Sequence, residues 1–457
     1  MNDSQSFFLK TKPSKLFMLA AIPGGISMLA SSLYGVFESI FVGKFLGTTA
    51  FAAFGMAFPF VIMNFALAEL VGVGSSVPIS IFIGQKEDEK ANNYFTCSIL
   101  LTIFTGILSG LLIFFGAPIF LSWMGAEGKL LEYAVNYLRI YALFSPIVPL
   151  MFSVDNYLRI SGKLKTSMGL NIAFSVVTIG LELLFIKVIG WELNGAAFGT
   201  CIAMTAGVVF AIAMFLPGKL QLKFVKTRFS KEMIAQIYKN GFAPFLTNIS
   251  GRLFSIIMNI LLLKFGGEPG VAIYAVVMTL AGIVEQLLYG VVDSLQPAIG
   301  CNFGAEHFDR VKKIERYIFT TAASISFVGA AVMFLFPSTI ATPFLEDLSL
   351  LDLAVYAIKI SSATYLIKWL GTAIQCFFMA LEKPLQAMVI SVSSACVFPM
   401  ILIPILLPFE LTGLWWNYPL AALLASVLAV IILIANKNKL FIPSENQNLA
   451  ETEDEEL

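Results

Sequence analysis

Lys44-Phe45-Leu46-Gly47 and Lys264-Phe265-Gly266-Gly267 are two versions of one short phrase, 220 residues apart. The same offset of 220 relates Ala52 to Ala272, Gly84 to Gly304, Ala134-Val135 to Ala354-Val355, Arg139 to Lys359 and Lys163 to Lys383. Further on, Glu192-Leu193-Asn194-Gly195 answers Glu410-Leu411-Thr412-Gly413 at an offset of 218, a slip of two residues. One such match is cheap in a biased composition. A series of charged and glycine matches in one register marks an internal duplication.

The composition says what is duplicated. Of 457 residues, 58% are hydrophobic and 13% charged, with a mean hydropathy of +0.86. Soluble domains run at about 45–50% apolar and about 25% charged. The excess must face lipid, which excludes cytosolic enzymes, nucleic-acid binders and disulfide scaffolds. Five scattered Cys and a single His offer no redox motif or metal cage.

A bilayer core of about 30 Å takes roughly 20 apolar residues in helix. Twelve stretches qualify: 16–41, 51–82, 93–116, 132–155, 166–188, 194–216, 238–265, 271–300, 316–336, 353–380, 386–408 and 412–436. Their apolar runs are continuous, which argues against a transmembrane barrel. Basic residues cluster in alternate connections (Lys10, Lys86, Lys163, Arg228, Lys313, Lys437 among them). The opposite connections receive only Lys44, Lys129, Lys187 and Lys264, while Arg139, Arg252, Lys359 and Lys368 fall inside spans. The positive-inside rule then puts both termini in the cytoplasm. The first span imitates a signal peptide, but it runs past Glu38, too long for the apolar core of one.

The expected fold is an all-α polytopic membrane protein. Twelve transmembrane helices form two six-helix bundles, related by a pseudo-two-fold along the membrane normal. The expected boundaries are a cytoplasmic N-terminus 1–15, an N-lobe 16–216, a basic linker 217–237, a C-lobe 238–436 and an acidic tail 437–457. Two such bundles suit an alternating-access transporter. A channel more often gathers identical subunits around a pore.

No G-x-x-x-x-G-K-[ST] phosphate loop occurs, and no soluble segment is long enough for an ATPase, so any pumping would draw on an ion gradient. Ionisable groups inside spans cost about 2.5–3.5 kcal/mol or more and are functional candidates by default. They are Glu38 in the first span, Glu69 in the second, Glu182 in the fifth, and Glu285 with Asp293 in the eighth. Thr178 and Glu182, four apart, share a helix face. Hard oxygen ligands of that kind suit Na⁺, placed at Glu38 and Glu182, and a carboxyl that can be neutralised suits H⁺. Asp155 and Arg159 have the spacing of a structural pair. Glu285 reads either as a site acid or as the partner of a base, Arg252 or Lys368. Glu69 stays open between site and pair, and Glu38 between site and membrane interface.

The run Pro23…Glu38-Ser39-Ile40-Phe41-Val42-Gly43 resembles the first span of multidrug and toxic compound extrusion (MATE) transporters. Thr178-Ile179-Gly180-Leu181-Glu182 with Gly195-Ala196-Ala197-Phe198-Gly199-Thr200 resembles their fifth and sixth spans. Glu285…Asp293…Pro297 through Asn302-Phe303-Gly304 resembles the eighth in the bacterial multidrug branch. The resemblance implies antiport, cationic amphipathic compounds leaving as Na⁺ or H⁺ enters, with no cofactor and no enzymatic step. It implies a cation site at Glu38, Thr178, Glu182 and Thr200, a bend in the first helix at Pro23, and C-lobe acids Glu285 and Asp293 near a drug cavity. Arg252 and Lys368 are candidate cavity bases. Glu replaces the usual Asp in spans one and five, and Thr178 the usual Asn, so site geometry and ion preference are open. The expected setting is a bacterial inner membrane, as a monomer among lipids, with small-molecule substrates and no nucleic acid. The 42 Phe, 13 Tyr and 17 Met supply aromatic and adaptable surface for cations. The alternatives are a flippase for lipids or lipid-linked saccharides, whose cavity would be richer in bases, and an intramembrane transferase.

Overall fold

In the computed structural model, which describes residues 3–344 and 348–440, almost every described residue is helical. The acidic tail beyond Leu440 lies outside the described residues. A short helix, Asp3–Lys10, precedes the rest and docks by Gln5, whose amide donates to the Ile83 carbonyl at 2.9 Å. Twelve long helices follow. In the first half they are α1 (13–46), α2 (Thr49–Gln85), α3 (Asp88–Trp123), α4 (128–160), α5 (Leu164–Ile189) and α6 (Glu192–Phe215). In the second they are α7 (Lys231–Gly267), α8 (Pro269–Gly304), α9 (Phe308–Leu335), α10 (Leu351–Ala380), α11 (384–406) and α12 (Glu410–Ala435). Each expected span falls on one of them, four overrunning its last residue by one or two positions, at 216, 336, 408 and 436.

The corner between α1 and α2 is Gly47 (φ 79°, ψ 179°), and that between α7 and α8 is Gly267 (φ 61°, ψ −162°). This region of backbone space is essentially reserved for glycine. The repeated phrase is therefore the place where one long apolar run folds into two helices. The repetition reaches single dihedral angles. Lys86 and Glu306, 220 apart, have φ of 66° and 59°, and Glu192 and Glu410, 218 apart, both have φ of 50°. Arg139 lies over the Phe114 ring at 5.3 Å and Lys359 over the Phe334 ring at 5.8 Å, again one repeat apart.

The chain forms two compact units. Unit 1 is Met1–Thr11 with Ile26–Gly241, and unit 2 is Lys12–Gly25 with Phe242–Leu457. Boundaries drawn at 16–216 and 238–436 thus miss an exchange: the start of α1 packs in unit 2 and the start of α7 in unit 1. Small residues make both contacts. A Cβ on Gly24 would lie 2.2 Å from the Gly290 carbonyl oxygen, and one on Gly241 would lie 1.7 Å from that of Leu70. Leu70 and Gly290 are themselves 220 apart. Helix association in lipid depends on such backbone approach. Gly241→Ala is expected to cost about 1–3 kcal/mol by overpacking, read as a lower thermal midpoint of the purified protein. Gly55→Ala, where an added Cβ meets nothing within 4 Å, is expected to leave the midpoint unchanged.

The two units differ where proline falls. In α4 the helix breaks between Phe144 and Leu150, across Pro146 and Pro149, each of which lacks a backbone donor. The equivalent part of α10 has no proline and runs unbroken. The basic connection is held, not loose, as far as Ser230. Lys223 N donates to Asn92 Oδ1 (2.7 Å), Val225 N to Thr96 Oγ1 (3.2 Å) and Arg228 N to Asn93 Oδ1 (2.8 Å), so the segment lies along the start of α3. Outward-facing positions such as Phe115, Val188 and Ile434 are more than 60% exposed, a surface suited to acyl chains.

Candidate functional site

Four helices of unit 1 bring their polar residues to one buried point. Glu38 comes from α1, Thr178 and Glu182 from α5, and Thr200 from α6; all four are buried. Thr200 Oγ1 donates to Glu182 Oε1 at 3.0 Å. Tyr34 on α1 donates to the same Glu182 oxygen at 3.3 Å and lies 2.8 Å from Thr200 Oγ1. Tyr137 on α4 donates to Glu38 Oε1 at 3.4 Å. Tyr34 lies beside Glu38 as well, and Glu38 and Glu182 are near enough for their charges to interact. No base takes part. Glu182 Oε2 is buried with no hydrogen-bond partner, while the Thr178 hydroxyl donates to the Phe174 carbonyl at 2.8 Å.

Local sequence explains the approach. Gly199 on α6 lies against Glu182, where a Cβ would sit 3.0 Å from the Glu182 Cγ and backbone N. Lacking one, α6 comes close enough for its next residue, Thr200, to reach the carboxylate. Directly after Glu182-Leu183, α5 widens into a π-type turn, Leu184–Ile189; such turns are frequent at functional sites.

Tyr34, Tyr137 and Tyr141 were not among the residues expected here. A signal for Tyr34 existed, since it lies one turn before Glu38 and shares its face. Tyr137 and Tyr141, one turn apart on α4, carry the same signature, and their rings lie 5.1 Å apart.

The other predicted residues are placed differently. Lys368 on α10 is ion-paired with Glu285 on α8, both partly exposed, so of the two candidate bases Lys368 is the partner. Arg252 is exposed on α7 and forms no ion pair among the described residues. Asp293 ends the first part of α8 and accepts from Gln296 Nε2 at 3.0 Å. Tyr289 of α8 lies between Glu285 and Asp293 and is near both. Asp155 and Arg159 form the expected pair at 2.5 Å, both buried. Glu69 is half-buried. The backbone at Pro23 keeps helical angles, Gly47 being the one non-helical residue between Pro13 and Gln85. Pro23 lies three residues before the point where α1 passes from unit 2 to unit 1.

The acid cluster has no counterpart in unit 2. Tyr34 and Glu38 correspond at 220 to Phe254 and Met258, Thr200 at 218 to Tyr418, and the stretch matching Glu182 is Met400-Ile401-Leu402-Ile403. The Phe254 and Tyr418 rings touch at 5.5 Å. The duplicated fold kept the contact and only one copy carries the carboxylates.

A duplicated six-helix unit of apolar spans, with paired acids buried in the first copy, defines a polytopic helical membrane protein built by internal repeat. The family model MatE matches residues 23–184 and 244–405, one match in each repeat. The chain belongs to the MatE family. It is 26% identical to the multidrug export protein MepA of Staphylococcus aureus, over 97% of this chain and 98% of that protein. The equivalent protein of Staphylococcus saprophyticus is also 26% identical, with the same coverage. Among solved structures, an outward-facing multidrug resistance MATE transporter of the MOP superfamily matches with a TM-score of 0.91 at 21% identity, over 96% of this chain and 99% of that one. A MOP superfamily transporter from Pyrococcus furiosus, described as having a binding pocket of reversed polarity, matches at 0.89 and 21%, over 96% and 98%. These structures share the twelve-helix, two-bundle fold.

Proposed function

We propose that the protein exports cationic, amphipathic compounds across a bacterial plasma membrane, termini in the cytoplasm, in exchange for an inward-moving cation. The observation that carries this reading is the unit 1 cluster: two carboxylates buried together, bonded to hydroxyls and to no base. A structural acid in a span is paired, as Glu285 and Asp155 are. Glu38 and Glu182 are instead set to be neutralised by something that comes and goes. The relatives named as multidrug export proteins support the choice of cargo.

The spacings favour H⁺ over Na⁺. Tyr34, Thr200 and Glu182 stand at hydrogen-bond distances from one another, already joined, and not splayed around a space for an ion that takes several oxygens at once. On this reading the proton binds at Glu182 or Glu38 and rearranges the Tyr34–Thr200 bonds. Because α1 carries Tyr34 and Glu38 in unit 1 while its first turns belong to unit 2, that rearrangement reaches both units through one helix, with Pro23 as its weak point. Alternation between outward- and inward-facing states follows, drug and ion competing. Each charge entering down 100 mV contributes about 2.3 kcal/mol.

A flippase for anionic lipids would need bases free to take phosphate. Lys368 is held by Glu285, and Arg139 and Lys359 lie over phenyl rings, leaving Arg252 as the one of the four in-span bases with no such partner among the described residues. One base is fewer than a phosphate cavity calls for, which favours efflux. The test is transport of ethidium by proteoliposomes under an imposed pH gradient or Na⁺ gradient. Uptake driven by the pH gradient alone is the expected result. Uptake driven by Na⁺ alone would transfer the site to that ion, and no uptake under either gradient would remove the antiport reading.

A further inference from the structure

Glu315, on the buried face of α9, takes no part in the site above. Both its carboxylate oxygens are buried without a hydrogen-bond partner, and the residue is 8% exposed. The Cys376 thiol of α10 lies near it, and near Asp293 and Gln296 of α8. Among the described residues it forms no ion pair. An ionised carboxylate in such surroundings would be a bare charge without a donor or counter-ion, among the most costly arrangements in a protein interior. The neutral acid is the species this position accommodates.

Packing does not require a carboxyl here. The equivalent residue of unit 1, 220 positions earlier, is Phe95, fully buried against the rings of Tyr157, Phe215 and Phe224 at 5.0–5.1 Å. The same fold is thus built with a phenyl ring in one copy and an acid in the other. Glu315 also lies about one turn, about 5 Å, from the exposed basic start of α9, where Lys312, Lys313 and Arg316 face outward. Water from the side of the chain termini is therefore close.

We propose that Glu315 is a proton-binding site of unit 2, holding H⁺ in this conformation and giving it up to water on the cytoplasmic side of α9. The step is a simple dissociation: the carboxyl O–H bond breaks, the proton passes to water, and the carboxylate remains. The site is distinct from Glu38 and Glu182 and needs no drug.

Infrared difference spectra of the full-length protein in lipid vesicles test this, comparing mildly acidic with mildly alkaline buffer. The expected result is a protonated-carboxyl band that disappears in alkali and is missing from Glu315→Gln, with that variant releasing one proton fewer per protein. Raising the pH only on the side facing the termini should suffice. An unchanged band and proton count in Glu315→Gln, a band that persists throughout, or discharge only from the opposite side would each overturn the proposal. If Glu315→Gln does not fold, Glu315→Asp serves: the band must shift, and an unshifted one overturns it. No substrate is present in these measurements, so their failure is separate from any failure of the efflux reading.

Discussion

Glu182→Gln is expected to lower ethidium efflux by roughly 5–150-fold, the range of a typical coupling free energy between two sites, while the protein still reaches the membrane folded. Gln keeps the length of Glu182 and can still accept from Thr200 and Tyr34 through its carbonyl, so the α5–α6 contact at Gly199 survives. What it loses is the oxygen that now stands without a partner, where a proton would arrive. Glu38→Gln should act in the same direction, its carboxyl being held by Tyr137 and, among the described residues, by no base. Efflux assays with membrane-abundance controls decide the matter. Full transport by both variants would leave the cluster a structural knot and end the coupling scheme.

The second large effect concerns stability. Asp155→Ala should destabilise the protein by about 3–5 kcal/mol, because it strands a buried guanidinium. Asp155 holds Arg159 at 2.5 Å and accepts from Ser167 Oγ at 2.5 Å and Asn171 Nδ2 at 2.9 Å. The network ties the end of α4 to the start of α5, the helix that carries Thr178 and Glu182. Unit 2 shows that the fold tolerates its absence, since the equivalent residues are Gln375, Met379, Ala387 and Ser391. Asp155→Gln combined with Arg159→Met is therefore expected to recover most of the loss. Thermal unfolding of the two variants checks both statements; a double variant as unstable as Asp155→Ala would refute the second.

Much of this was legible in the residues. Hydropathy placed all twelve helices, because the lipid core imposes one length on every span. The phrase ending in Gly47 and Gly267 marked its two corners, because only glycine suits that backbone. The acids of α1 and α5 stood out because charge in a span is costly. Other features depend on partners distant in sequence. Lys368 and Glu285 are 83 residues apart, and nothing in either span chooses between Lys368 and Arg252. Tyr34 was one of 13 tyrosines, with only its helical turn to single it out. Glu315 lies one residue before the ninth span, 316–336, so a search for acids within spans does not reach it. The exchange of helix starts left no trace in hydropathy, which separates lipid from protein but does not say which protein surface a helix meets. The break in α4 was legible in Pro146 and Pro149, yet the span was drawn straight through because its apolar run continues.

That exchange also bears on ancestry. A single repeat standing alone would expose the groove at Leu70 or Gly290 and carry amino-terminal turns with nothing of its own to lie against. Two identical copies lending each other those turns would satisfy both, as in a domain-swapped pair. A connecting strap between two such copies makes the loan permanent and leaves each free to carry different side chains.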